Sequence, residues 1–388
     1  MRSDTLKVPG ATLYYEVRGN GPVLLLLPGS GGDAAVFDPI ADTLAAHFTV
    51  VTLDPRGYSR SIIDSEEPGH RLMAAQRDNA VRFDEQVDGL IATQRHDTVR
   101  STEPDDELIT AQRDDTDRST GRGGRLIATR RDNGFRSAEQ VNLVIAPRRD
   151  DTGQSTDRPA DELNVGRRDA TAGSAQQDDG LIAAQREDAY RLLETLTPAG
   201  EDAYVFGGSG GAVVALDLLT YHPERLRLVV AHEPPCFAVL PDAAEQKAFI
   251  DEVYLLFRTE GIAAAGARFL QGIGGTMKPM PNPADLPPRA AEMIQRLHDN
   301  ADLMMAHELR PITSYLPDEP TLATHTDRLI LAAGKETRGH LPHRPAATLA
   351  EHLNLPLTEF PGGHSGFTDA PTEFATQLLN LLLATRVQ

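Results

Sequence analysis

The sequence predicts an α/β protein with a mostly parallel central sheet, helices on both faces, a helical cap and a low-complexity tandem-repeat insertion. Three observations predict it. Short continuous apolar runs alternate with segments of helical periodicity, as in a parallel sheet covered on both sides. A strandless stretch over 237–320 interrupts that alternation. The middle of the chain, 72–180, repeats itself every 18 residues.

The strands come first. Val23–Leu27 is wholly apolar and stops at Pro28-Gly29, which suits a strand buried on both faces. Val36–Ala46 has helical spacing, and Phe48–Leu53 is a second strand ended by Asp54-Pro55-Arg56-Gly57. In Leu181–Leu196 apolar residues at 182, 189, 192, 193 and 196 mark one helix face. Ala203–Phe206, Leu226–Ala231, Arg328–Ala333 and Leu355–Phe360 supply further strands. Ala212–Leu219 is an apolar helix, and Phe374, Leu378, Leu381 and Leu382 mark a closing amphipathic one. Within 237–320, Phe249–Phe257, Ile262–Leu270 and Ala290–Leu303 read as helices, with prolines at 279, 281, 283, 287 and 288 between them. A cap inserted between two strands fits this pattern, because lids near the carboxyl ends of parallel strands form the usual binding crevice.

The repeat unit begins Leu72-Met73-Ala74-Ala75-Gln76-Arg77-Asp78 and recurs from Leu90, Leu108, Leu126 and, more loosely, Val144. A degraded copy spans Leu163–Asp169, and the last copy starts at Leu181 and runs on into the amphipathic helix. Phe83 and Phe135 are the only Phe or Tyr residues in 72–180. So little apolar surface does not offset the entropy of ordering the chain. We read the segment as an in-frame expansion of one helix start, disordered or loosely helical. A solenoid is the rival reading, since 18 residues are close to five helical turns. The chain then divides into core 1–71, insertion 72–180, core 181–236, cap 237–320 and core 321–388.

Bulk properties narrow the function. The net charge of -19 argues against nucleic acid or an anionic membrane as a partner. A small-molecule substrate is expected instead. Cys236 is the single cysteine, so no internal disulfide forms. The polar Met1–Val8 lacks the apolar stretch of a signal peptide, and no apolar run matches a membrane span. A cytoplasmic location is the expectation.

Gly207-Gly208-Ser209-Gly210-Gly211 joins a strand to a helix. Such a turn strains the serine and exposes its hydroxyl, while the helix start aims the Gly210 N–H at a developing oxyanion. Glycine-rich turns before helices are common, so the motif gains weight from its position. Together with Pro28-Gly29-Ser30-Gly31-Gly32, Asp54-Pro55-Arg56-Gly57-Tyr58-Ser59, His222-Pro223-Glu224-Arg225 and Gly362-Gly363-His364-Ser365, it resembles the α/β-hydrolase superfamily, in family order. The likeness is to the actinobacterial type of serine hydrolase with a helical cap, and it covers most of the chain outside 72–180. It implies a nucleophile–acid–histidine triad in that order. Ser209 and His364 match the family's nucleophile and base directly.

The family sets its acid after the strand at 328–333, which points to Glu336, with Glu233 as the reserve. A plain surface glutamate is the alternative for each. The second oxyanion donor corresponds to the N–H of Ser30. Pro28 stands where family members often carry His, but the donor is a backbone group and survives that change. A phosphate loop is disfavoured, since no Gly-Lys-Ser/Thr follows. In the cap, Arg310 of His307-Glu308-Leu309-Arg310 is a candidate for a substrate carboxylate, against a solvated helix face. His340 and His343 are too few for a metal site, and His232 reads as a core histidine. Neither a metal nor another cofactor is expected.

The function expected is hydrolysis of an ester, thioester, lactone or amide of a small substrate through an acyl-enzyme. Ser at 209, in place of Asp, disfavours the epoxide-hydrolase and dehalogenase branches of the resembling family. Perhydrolase-like or carbon–carbon-bond hydrolysis uses the same residues. A non-catalytic ligand-binding protein of the same fold is the alternative from another class.

Overall fold

The computed structural model describes residues 1–64, 109–114, 125–130, 170–275 and 281–384. The chain divides into two compact units, Arg82–Arg167 and the rest, Met1–Val81 with Arg168–Gln388. The larger unit begins with β1 (Arg2–Val8), β2 (Ala11–Arg18), β3 (Val23–Leu27), α1 (Asp38–Ala45), β4 (Thr49–Leu53) and β5 (Ile62–Ile63). The smaller unit contains β6 (Ile109–Asp114) and β7 (Arg125–Arg130). The larger unit resumes with α2 (Ala170–Leu196), β8 (Ala203–Gly208), α3 (Gly210–Tyr221) and β9 (Leu226–His232). The cap comes next as α4 (Ala243–Glu260), α5 (Ile262–Gly272), α6 (Pro288–Leu303), a π-helical segment over Met304–Glu308, and α7 (Leu309–Ser314). The chain closes with α8 (Glu319–Ala323), β10 (Leu329–Gly334), α9 (His343–His352), β11 (Leu357–Phe360), α10 (Gly366–Asp369) and α11 (Pro371–Ala384).

Among the described residues, nine strands form one sheet in the order β1, β2, β4, β3, β8, β9, β10, β11, with β5 beside β2. Every pairing from β4 to β11 is parallel. The pairings of β2 with β1, β4 and β5 are antiparallel. The apolar runs feed two cores by alternation. In β3, Leu24 and Leu26 join α1 and α11 on one face, while Val23, Leu25 and Leu27 join α2 and α3 on the other. In β8, Tyr204 and Phe206 point to the first face and Ala203 and Val205 to the second. A strand buried on both sides has no place for a polar residue, which explains the continuous runs.

Two expectations change. The hairpin β1–β2 is an addition to the expected elements. The helix expected to begin at Leu181 begins at Ala170, so its first turns belong to the segment assigned to the insertion. The reading of 72–180 as disordered or loosely helical falls mostly on residues outside those described. β6 and β7, from successive copies, pair antiparallel with Ile109 opposite Arg130 and Gln112 opposite Ile127. Each carries β-branched residues, Ile109 and Thr110 in one and Ile127 and Thr129 in the other, which favour a pleated strand. The copies from Leu72, Leu90, Val144 and Leu163 lie outside the described residues. No described helix is long and apolar enough to cross a membrane.

Candidate active site

The parallel strands β8, β9 and β10 end side by side, and the polar groups gather at their carboxyl ends. β8 runs into Ser209, which has φ 53° and ψ −122° and directly precedes α3. Holding a non-glycine residue in this region costs on the order of 1–3 kcal/mol. The surroundings impose it. The Ser209 N–H donates to the His232 carbonyl at 2.9 Å, and its own carbonyl accepts from Ala212 N at 2.8 Å. The next glycine admits no side chain, since a Cβ on Gly210 would lie 2.4 Å from Ser30 Oγ and 3.0 Å from Ser30 N. The two expected oxyanion donors, Ser30 and Gly210, are therefore neighbours. Gly29 stands close by, as a Cβ there would lie 3.6 Å from Ser209 Oγ.

The residue after His232 is Glu233, again in left-handed backbone at φ 50°. Its Oε2 meets His364 Nδ1 at 2.6 Å. Its Oε1 accepts from Gly334 N at 2.8 Å and from the Thr337 hydroxyl. An ionised carboxylate only accepts, so Nδ1 carries the proton and Nε2 is left as the basic nitrogen. Glu233 is fully buried, whereas Ser209, His364 and Ser30 are partly accessible. Burial alone would raise the Glu233 pKa. The bond to His364, that ring's positive charge and the Thr337 donor outweigh it, and the carboxyl falls to about 2.

The acid expected at Glu336 is thus not at the histidine. After β10 the chain makes a 3-10 turn over Lys335–Thr337. Glu336 faces solvent while Thr337 turns inward. The loop after β10 supplies a hydroxyl donor, and the carboxylate comes from the loop after β9. Glu233, the reserve candidate, occupies the position at the ring. No hydrogen bond or ion pair among the described residues joins Arg310 to Ser209, His364 or Glu233. Arg310 is exposed on the cap, with its guanidinium carbon 3.8 Å from the centroid of the Tyr254 ring. The carboxylate two residues earlier, Glu308, is the one that turns inward, because the π-helical segment shifts the register of this face.

Sequence reasoning missed Glu308, Asn300 and Thr337. Glu308 is buried and accepts from Tyr58 OH at 2.7 Å, Gly31 N at 3.1 Å and Gln185 Nε2 at 3.2 Å. Burial raises its pKa, and these donors and Ser30 offset part of the rise. His232 is a core histidine, against Phe206, Phe360 and Phe374, with neither ring nitrogen hydrogen-bonded. Burial lowers its pKa to about 4, so it is neutral near pH 7. Burial pushes the Cys236 thiol up, which removes it as a nucleophile. Among the described residues, no group of three His, Cys, Asp or Glu is disposed to hold a metal ion.

Comparison with known proteins agrees with this architecture. The chain is 25% identical over 388 residues to an uncharacterized hydrolase, YraK, of Bacillus subtilis (strain 168), covering 98% of this chain and 96% of that one. An enol-lactonase from Burkholderia xenovorans LB400 matches with a TM-score of 0.50 at 14% identity, over 98% of this chain and 100% of the other. A thermophilic esterase from Thermogutta terrifontis matches with a TM-score of 0.54 at 13% identity, over 99% of each. No protein-family model matches the chain. Its strand order and these likenesses show that the chain has the α/β-hydrolase fold.

Proposed function

We propose that the protein is a serine hydrolase that cleaves an ester, thioester, lactone or amide bond of a small substrate through an acyl-enzyme. The observation that carries this reading is the 2.6 Å bond between His364 Nδ1 and buried Glu233, beside a serine held at φ 53°. Ser209 Oγ attacks the carbonyl carbon while His364 Nε2 takes its proton. Negative charge grows on the carbonyl oxygen, where the Ser30 and Gly210 N–H groups meet it. The tetrahedral intermediate collapses, and His364 passes the proton to the departing alcohol, thiol or amine. Water then enters, gives a proton to Nε2 and attacks the acyl carbon, and Ser209 leaves as the alcohol. Glu233 keeps the imidazole in the required tautomer and stabilises the imidazolium. The esterase and enol-lactonase names among the structural neighbours agree with acyl chemistry.

The test is covalent labelling by a fluorophosphonate together with turnover of p-nitrophenyl acetate. The parent protein should label and turn over, and Ser209→Ala should do neither while unfolding at nearly the parent temperature. Parent-rate hydrolysis by Ser209→Ala would remove the assignment.

A further inference from the structure

Gly31 lies in the loop that holds the Ser30 donor, and the cap grips both polar groups of its backbone. The Gly31 N–H donates to Glu308 Oε2 at 3.1 Å. The Gly31 carbonyl accepts from Asn300 Nδ2 at 2.9 Å. Between these two side chains in sequence, Met304 packs on the same residue, since a Cβ on Gly31 would lie 3.2 Å from Met304 Cβ. Neither grip is a loose surface contact, as Asn300 is 5% exposed and Glu308 3%. Asn300 is fixed in turn, because its Oδ1 accepts from Ser59 N at 3.1 Å and its Nδ2 reaches Ser59 Oγ at 3.0 Å. Glu308 is fixed by Tyr58 and Gln185.

The loop needs such help. Gly31 has φ +70°, and within 29–32 the loop has one backbone bond of its own, Gly32 N to Gly29 O at 2.8 Å. Glycines here leave the chain many conformations, and an oxyanion donor must be fixed before the reaction to be effective. A buried carboxylate is a costly way merely to fill space, since an apolar residue of similar volume does so without desolvating a charge. Building on the serine-hydrolase reading, we infer that Asn300 and Glu308 are positioning residues for the oxyanion hole. The cap clamps the Gly31 backbone so that the Ser30 N–H stays beside the Gly210 N–H. The hole is complete only when the cap is seated, so a lid that encloses substrate also finishes the catalytic geometry.

Asn300→Ala, Glu308→Ala and Glu308→Gln test this with p-nitrophenyl acetate and with an alkyl boronate, whose tetrahedral adduct on the serine places an oxygen in the hole. Loss of one oxyanion donor costs about 10²–10³ in kcat, and a misaligned donor costs less, so each alanine variant should lose about 10- to 100-fold in kcat. KM should stay within about threefold, and boronate affinity should fall in step with kcat/KM. Glu308→Gln keeps an acceptor for the Gly31 N–H and should return to within about fivefold of the parent. Asn300→Ala removes no charge and carries the test alone if Glu308→Ala does not fold. Unchanged kcat and boronate affinity in Asn300→Ala, or a loss residing wholly in KM, overturns the inference. Ser209→Ala assayed alongside separates the two readings. Turnover by that variant removes the serine mechanism, whereas a dead Ser209→Ala beside an unaffected Asn300→Ala removes only the clamp.

Discussion

On the proposed reading, the site has an acid arm and an oxyanion arm, and the two are built from different material. The acid arm belongs to the core. Glu233 and Thr337 sit on turns directly after β9 and β10, Gly334 ends β10, and the two strands pair with Ala332 opposite His232. The oxyanion arm is shared. Ser30 comes after β3, but its loop is braced by Asn300 and Glu308 from the cap. Further along the same cap face, Arg289 pairs with Glu16 and Asp38, and Arg296 with Asp33. The core arm is determined by strand pairing, and the shared arm by whether the cap is seated. On the proposed serine-hydrolase reading, the difference teaches that two parts of one catalytic site can have separate structural origins, and so separate sensitivities.

That comparison is sharpened most by Glu233→Gln. Loss of an orienting carboxylate should lower kcat by roughly 10³–10⁴-fold, more than any cap variant. Steady-state kinetics on the ester check it, and a smaller loss than in Asn300→Ala would invert the ranking of the two arms. The same carboxyl predicts an acid limb in stability. Its folded pKa, about 2, lies below the ordinary 4.5. Its contribution is therefore present above pH 4.5 and is lost as pH falls toward 2. Melting temperatures taken between those pH values should fall more steeply for the parent than for Glu233→Gln. Parallel curves would mean the pair carries no linkage.

A middle-sized effect should come from loosening the cap away from the site. Arg289→Ala with Arg296→Ala removes its ion pairs to Glu16, Asp38 and Asp33. The expected result is about a 2- to 10-fold loss in kcat/KM with faster proteolysis of the cap, since buried Asp33 loses its guanidinium while Glu16 and Asp38 keep only core arginines, so the cap loses its ionic ties. Parent kinetics with an intact cap would show that these pairs are ornamental to the site. The smallest effects belong to two exposed residues. Glu336→Gln and Arg310→Ala should each leave kcat/KM within about twofold, as exposed substitutions away from the chemistry usually do. A tenfold loss in either would return that residue to the site.

The parallel core was legible because burial on both faces leaves an unmistakable apolar run, as in Val23–Leu27. β1 was not, because it is an edge strand whose first residues, Arg2–Thr5, are exposed and carry no apolar alternation. Ser209, His364, Ser30 and Gly210 lie in motifs whose residue types are constrained locally, and the structure brings Ser30 beside Gly210 as those motifs imply. The acid position is constrained only by distance to the ring, and either strand end reaches it. A usable signal was present: Glu233 directly succeeds a strand, at the carboxyl edge of the sheet where binding groups gather. Glu308 was hidden because a charged residue in a short His-Glu-Leu-Arg stretch reads as solvated. Its burial is created by a helix register that no apolar period announces.

That register depends on the π-helical turn at Met304–Glu308. A turn with i→i+5 bonding holds one residue more than an α-helical turn. Deleting a single residue from it would restore ordinary winding and swing the downstream side chains about 100° around the axis. Glu308 would leave the Gly31 backbone while Asn300, upstream, stayed where it is. Chain length at this one turn therefore works as a gauge. Among related proteins, those without the extra residue would have to brace the loop from somewhere else, and gap placement in this helix would sort the two designs before any assay did.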